Sequence, residues 1–101
     1  MFWNILKGNN SPNLAEVINS NTLLVDVRED FEFASGSVKG AINIPLSQLP
    51  NQINKFKGKE NIVVFCRSGN RSSQAKSFLE SKGINNVYNG GSVNDVMPFV
   101  K

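Results

Sequence analysis

The chain has 101 residues, 40% of them apolar and 19% charged, the balance of one ordinary globular domain. It holds one cysteine and no histidine, which excludes an internal disulfide, a Ser-His-Asp triad, a Cys-His pair and a histidine metal site. The net charge of +3 comes from dispersed lysines, which favours small anions and argues against a nucleic-acid partner.

The chain opens on Phe2, Trp3, Ile5 and Leu6. This patch is too short for the core of a signal peptide and lacks a basic start. No segment approaches the roughly 20 apolar residues of a membrane span. A cytoplasmic protein is expected, with residues 1–10 an extension that docks on the body through Trp3 and residues 11–101 a single domain. A contact of Trp3 with a membrane or partner is the alternative.

Ser11-Pro12 reads as a helix cap followed by proline at the first helical position, opening a short helix to Asn19. Thr22 to Val27 is a near-continuous apolar run, the pattern of a strand buried on both faces. Arg28 to Gly36 starts acidic and suits one or two helical turns. Ala41 to Pro45 is a short strand stopped by proline, and Leu46 to Phe56 reads as a helix interrupted by Pro50. Asn61 to Phe65 is the strongest strand signal in the chain. A helix follows from near Ser72 to Gly83, with Ala75, Phe78 and Leu79 on one face. Asn86 to Gly91 is a last short strand, and a terminal helix limited by Pro98 closes the chain. The alternation implies an α/β domain with a mostly parallel sheet covered by helices on both faces.

Functional sites in such sheets form beyond the carboxyl ends of strands. The segment there is Cys66-Arg67-Ser68-Gly69-Asn70-Arg71-Ser72. A lone cysteine at a strand end is ordinarily a buried core residue. A core cysteine, however, does not need two arginines, a glycine and small polar residues in succession. The helix after the loop directs free N–H groups and its positive end toward the thiol. Gly69 allows a tight turn, Asn70 tolerates a left-handed backbone, and Arg67 and Arg71 add positive charge. With no histidine to act as a base, these are the available activators of a thiolate. The same cradle suits a tetrahedral oxyanion or an extra sulfur atom on Cys66. Asp26 and Arg28 read as a structural pair near the site, with Arg28 meeting Glu32, rather than as an acid/base couple.

These motifs resemble those of the single-domain rhodanese family of thiosulfate sulfurtransferases. The loop "CRSGNRS", the segment "LLVDVREDFEFASGSVKGAINIPLSQL" and the later "NIVVFCRSGNRSSQAKSFLESKGINNVYNGG" carry the resemblance over nearly the whole chain. The resemblance implies a rhodanese-like α/β fold, a central mostly parallel sheet of about five short strands flanked by helices on both faces. It implies no cofactor and a ping-pong reaction. The thiolate of Cys66 takes a sulfane sulfur from a small anionic donor such as thiosulfate, then passes it to cyanide, a thiol or a protein acceptor. The N–H groups of Arg67, Ser68, Gly69, Asn70, Arg71 and Ser72 would hold the sulfur. Arg67 and Arg71 would attract the donor and stabilise the departing sulfite, or Arg71 would tie the loop to a carboxylate. Ser72 would donate to the sulfur or cap the helix. The spacing Cys66-x4-Arg71 is shorter than the Cys-x5-Arg ring of related phosphatase folds, which favours sulfur over phosphate ester chemistry.

Two departures stand out. Ser37 replaces a histidine that is usually structural, and Val96, Met97 and Phe99 replace a tryptophan-bearing helix, which could alter the pocket wall. The alternative function is a rhodanese-fold binding or regulatory module, or a persulfide carrier with little turnover. A thiol redox role is disfavoured because no second cysteine can resolve a disulfide.

Overall fold

A computed structural model describes residues 12–101; the expected cap Ser11 and the extension with Trp3 lie outside the described residues. The elements in chain order are α1 (Leu14–Val17), β1 (Leu23–Asp26), α2 (Asp30–Ala34), β2 (Ile42–Asn43), two 3₁₀ turns (Leu46–Asn51 and Ile53–Phe56), β3 (Ile62–Cys66), α3 (Asn70–Ser81), β4 (Val87–Ser92), α4 (Val93–Val96) and a last 3₁₀ turn (Met97–Phe99). The four strands pair in parallel in the order β2-β1-β3-β4. The sheet has four strands among the described residues rather than about five: the four segments with strand signals in the sequence pair, and no further segment joins them.

The apolar runs are explained by burial on both faces. Ile62, Val64 and Cys66 join one core cluster with Val25, Ala75 and Leu79, under α3 and the 3₁₀ turns. Val63 and Phe65 join a second cluster with Leu14, Val17 and Val96, under α1 and α4. Successive side chains of a strand point to opposite faces, so a strand sandwiched between helices must be apolar at every position. Cys66 therefore faces the α3 side, at the carboxyl end of a central strand.

Several local expectations change. The first helix is shorter than the expected Pro12 to Asn19, and Asn13 caps it, its side chain accepting from the N–H of Ala15 at 3.2 Å. Leu46 to Phe56 forms two 3₁₀ turns rather than one helix, with Pro50, whose ring opposes a continuous α-helix, inside the first. α3 begins at Asn70, two residues earlier than expected. Gly69 adopts φ +97°, a left-handed turn that brings the chain straight from β3 into the helix.

β4 carries an irregularity where Phe65 pairs with Gly91 and Gly90 is skipped. A Cβ on Gly90 would lie 2.6 Å from Val96 Cγ2 and 2.8 Å from Val63 Cγ1, both fully buried. Gly90→Ala should therefore destabilise the domain by about 1–3 kcal/mol through overpacking. The urea midpoint measures this, and an unchanged midpoint would show that β4 shifts freely.

Candidate active site

Strand order reverses between β1 and β3, since β2 lies on one side of this pair and β4 on the other. Open α/β sheets form their crevices at such a switch point. The carboxyl end of β3 places Cys66 there, 1% exposed beneath its own loop. The N–H of Gly69 donates to Cys66 Sγ at 3.0 Å, and the N–H of Ser72 at 3.4 Å. Ser72 Oγ stands 3.4 Å from the sulfur. Burial pushes the Cys66 thiol up, but hydrogen bonds from the Ser72 hydroxyl and from the N–H groups of Ser72, Ser68 and Gly69 outweigh it. The thiol is held below its ordinary value as a result.

Ser72 does not cap the helix. It lies inside the first turn of α3, fully buried, with its hydroxyl directed at Cys66 and at Asn89 Oδ1, 2.6 Å away. Arg71 does not present a free charge either. Its Nη1 and Nη2 donate to Glu32 Oε1 and Oε2 at 2.6 and 3.1 Å. This fork pairs the loop with α2, so of the two expected arginine roles the tie to a carboxylate is occupied in this structure. Arg67 is exposed and forms no ion pair among the described residues. Ser68 and Asn70 are exposed at the loop surface, and with Gly69, Ser73, Gly91 and Asp95 they line a shallow groove beside the loop.

Glu32 meets Arg71, not Arg28 as expected. Arg28 instead turns back on Asp26, its Nη2 donating to Asp26 Oδ2 at 2.7 Å and to the Gly36 carbonyl at 2.7 Å. Arg28 and Glu32 are four positions apart, a spacing that sets them side by side on one continuous helix. α2 starts at Asp30, and Glu29 caps it in an extended conformation, so Arg28 lies outside the helix. Ser37 donates to Asp26 Oδ2 at 2.7 Å, which supplies a hydrogen bond at the position of the missing histidine. Phe99 lines a groove with Ile18, Leu24 and Lys39, at the amino end of β1. Of the C-terminal departure, Phe99 thus sits at that end of the sheet, and Val96 packs in the core cluster under α1 and α4.

The Arg71 guanidinium, with the N–H of Glu29, holds the Glu32 carboxyl at about 2, against an ordinary 4.5. A carboxylate lowered on folding stabilises the fold above its unfolded value, and this contribution is lost as pH falls. The stability contributed by the Arg71–Glu32 tie should thus be fully present above pH 4.5 and be lost progressively as pH falls toward 2. Glu32→Gln should flatten the acid limb of a stability-against-pH curve in that window; an unchanged limb would mean the pair contributes nothing.

The geometry can be set against known proteins. A family model, the rhodanese-like domain, matches residues 11–94. The chain belongs to the rhodanese-like domain family. It is 38% identical over 80 residues to the thiosulfate sulfurtransferase PspE of Escherichia coli, covering 76% of this chain and 77% of PspE. It is 39% identical over 66 residues to the uncharacterised YqhL of Bacillus subtilis, covering 65% of this chain and 52% of YqhL. The chain thus spans about half the length of that relative. Among solved structures, a rhodanese with anions from E. coli superposes with a TM-score of 0.66 at 34% identity, covering 73% of this chain and 89% of the other. The rhodanese fold expected from the sequence is the observed one. No helix among the described residues of this rhodanese-family chain is long and apolar enough to cross a membrane.

Asn89 is the residue that sequence reading passed over. Its signal was an amide side chain inside the otherwise apolar and glycine-rich segment Val87-Tyr88-Asn89-Gly90-Gly91.

Proposed function

We propose that the protein is a sulfurtransferase working through a persulfide on Cys66. The observation that carries this reading is the convergence of the Gly69 and Ser72 N–H groups and the Ser72 hydroxyl on one buried sulfur. That environment favours a thiolate and offers donors to a second sulfur placed on it. The likeness to PspE supports thiosulfate as the donor.

In the first half-reaction the Cys66 thiolate attacks the outer sulfur of thiosulfate. The new Cys–S bond forms as the bond to the sulfonate sulfur breaks, and sulfite leaves with its electron pair. In the second, cyanide or a thiolate attacks the outer persulfide sulfur, and the Cys66 thiolate is regenerated. No external oxidant or reductant is needed. Arg67, exposed at the loop, draws in the anionic donor. Arg71 holds the loop in shape through Glu32. Ser68, Gly69, Asn70 and Ser72 form the rest of the binding loop. A chemistry that needs a free thiol suits a reducing compartment, and we place the protein in the cytoplasm.

Mass spectrometry of the intact protein after incubation with thiosulfate tests the proposal. The expected result is a gain of one sulfur, removed by cyanide. No uptake from thiosulfate or from a persulfide donor would leave a binding module as the better reading.

A further inference from the structure

Asn89 lies in β4, opposite the loop that carries the nucleophile. Its Oδ1 accepts from Ser72 Oγ at 2.6 Å and from the N–H of Gly91 at 2.9 Å, while its Nδ2 donates to the Gly69 carbonyl at 3.2 Å. One backbone donor and one backbone acceptor thus fix which end of the amide is the carbonyl. A carbonyl oxygen only accepts, so the proton in the 2.6 Å contact is that of Ser72.

A hydroxyl has one proton. While Ser72 gives it to Asn89, only lone pairs face Cys66 Sγ, 3.4 Å away. This arrangement suits a thiol, whose S–H can donate to Ser72 Oγ. A thiolate, which only accepts, keeps the N–H groups of Gly69 and Ser72 but gains nothing from this hydroxyl until it turns. Ser72 is 0% exposed, so no bulk water supplies a substitute donor at that oxygen. When Cys66 ionises, its proton departs to solvent and the Ser72 O–H must turn from Asn89 to the sulfur. Asn89 Oδ1 then keeps the N–H of Gly91.

We propose that Asn89 is a positioning residue that competes with Cys66 for the single proton of Ser72, and so sets how readily the thiolate forms. Its purpose rests on the sulfurtransferase reading, whereas its test does not. Ser72 becomes a two-position donor, giving its proton to Asn89 in the resting thiol and to sulfur when negative charge develops there. The amide N–H meanwhile ties Gly69, whose own N–H already points at the sulfur. The charged groups on the elements around the thiol are Arg67 on the loop, the Arg71–Glu32 pair, Asp30 on α2, the Lys76–Glu80 pair on α3, the Asp26–Arg28 pair at the end of β1, and Asp95 on α4. None of them contacts the Ser72 hydroxyl, whose partners are Cys66 and Asn89.

Thiolate absorbance of the full chain, titrated against pH with Cys66→Ala as the blank, reads the competition directly. It requires no sulfur donor, so failure of sulfur loading and failure of this inference remain separate. Asn89→Ala should lower the Cys66 midpoint by up to about one pH unit, the size of one released hydrogen bond. Asn89→Asp, which keeps the shape of the side chain, should raise it, since a carboxylate holds the Ser72 proton more strongly and adds negative charge. In a Ser72→Ala background the Asn89→Ala shift should vanish. A shift that persists there undiminished would show that Asn89 acts only by shaping the loop. An absent or upward shift in Asn89→Ala alone would equally overturn the proposal.

Discussion

Replacing Cys66 with serine should abolish sulfur loading and reduce sulfur transfer by on the order of a thousandfold or more, the scale of losing a nucleophile. The side chain is almost unchanged in shape, and its surroundings already donate hydrogen bonds, from the N–H groups of Gly69 and Ser72. The fold should therefore persist, with an unchanged circular dichroism spectrum. Chemistry is lost for two reasons. A serine hydroxyl stays protonated under conditions where the cradle holds the thiol below its ordinary value. An oxygen also cannot form the Cys–S–S linkage that stores the transferred atom. Cys66 is the sole cysteine, so no other side chain can take its place. Intact mass after thiosulfate treatment and steady-state thiocyanate production check the two effects separately. A serine variant that still gains sulfur would place the chemistry elsewhere.

Asp26→Ala should cost about 3–5 kcal/mol of stability, the usual scale for orphaning one member of a buried ion pair. Asp26 is 0% exposed and accepts from the N–H, Nε and Nη2 of Arg28 and from Ser37 Oγ. Removing it leaves the side chain of Arg28, a residue only 8% exposed, with the Gly36 carbonyl as its remaining partner among the described residues. The exposed Lys76–Glu80 pair on α3 has a similar 2.7 Å contact, yet breaking it should cost no more than about 0.5 kcal/mol, because water replaces the partner. Burial, not distance, sets the difference. Urea denaturation of Asp26→Ala and Lys76→Ala side by side provides the comparison. Similar losses for the two would refute the argument. The site should suffer as well, since Asp26 and Arg28 lead directly into α2, which carries Glu32 to Arg71.

Cys66 and its loop were readable because their chemistry is local. A thiol at a strand end, a glycine three residues on and a helix after it are all written in consecutive residues. The strand positions were readable for a similar reason, as a strand covered on both faces must be apolar at every step. Ile62 to Phe65 and Leu23 to Val25 satisfy that requirement. The limits of Leu46 to Phe56 were not, because a proline within an apolar pattern permits a kinked helix or two 3₁₀ turns, and packing selects between them.

Pairings across the chain lay beyond the linear pattern. Arg28 had Glu32 at helical spacing and Asp26 two residues before it, and both pairings were chemically reasonable. The start of α2 at Asp30 chose between them, which released Glu32 to reach Arg71 from 39 residues away. Asn89 likewise meets Ser72 only because the β3–β4 register carries it there. The sequence by itself determined the α/β alternation, the lone thiol at a strand end and the loop around it, since these depend on neighbours along the chain. Only the tertiary structure decided which carboxylate neutralises Arg71 and which group holds the Ser72 proton. Hydrogen bonds and ion pairs require contact within about 3 Å, and between distant segments that contact exists only after folding.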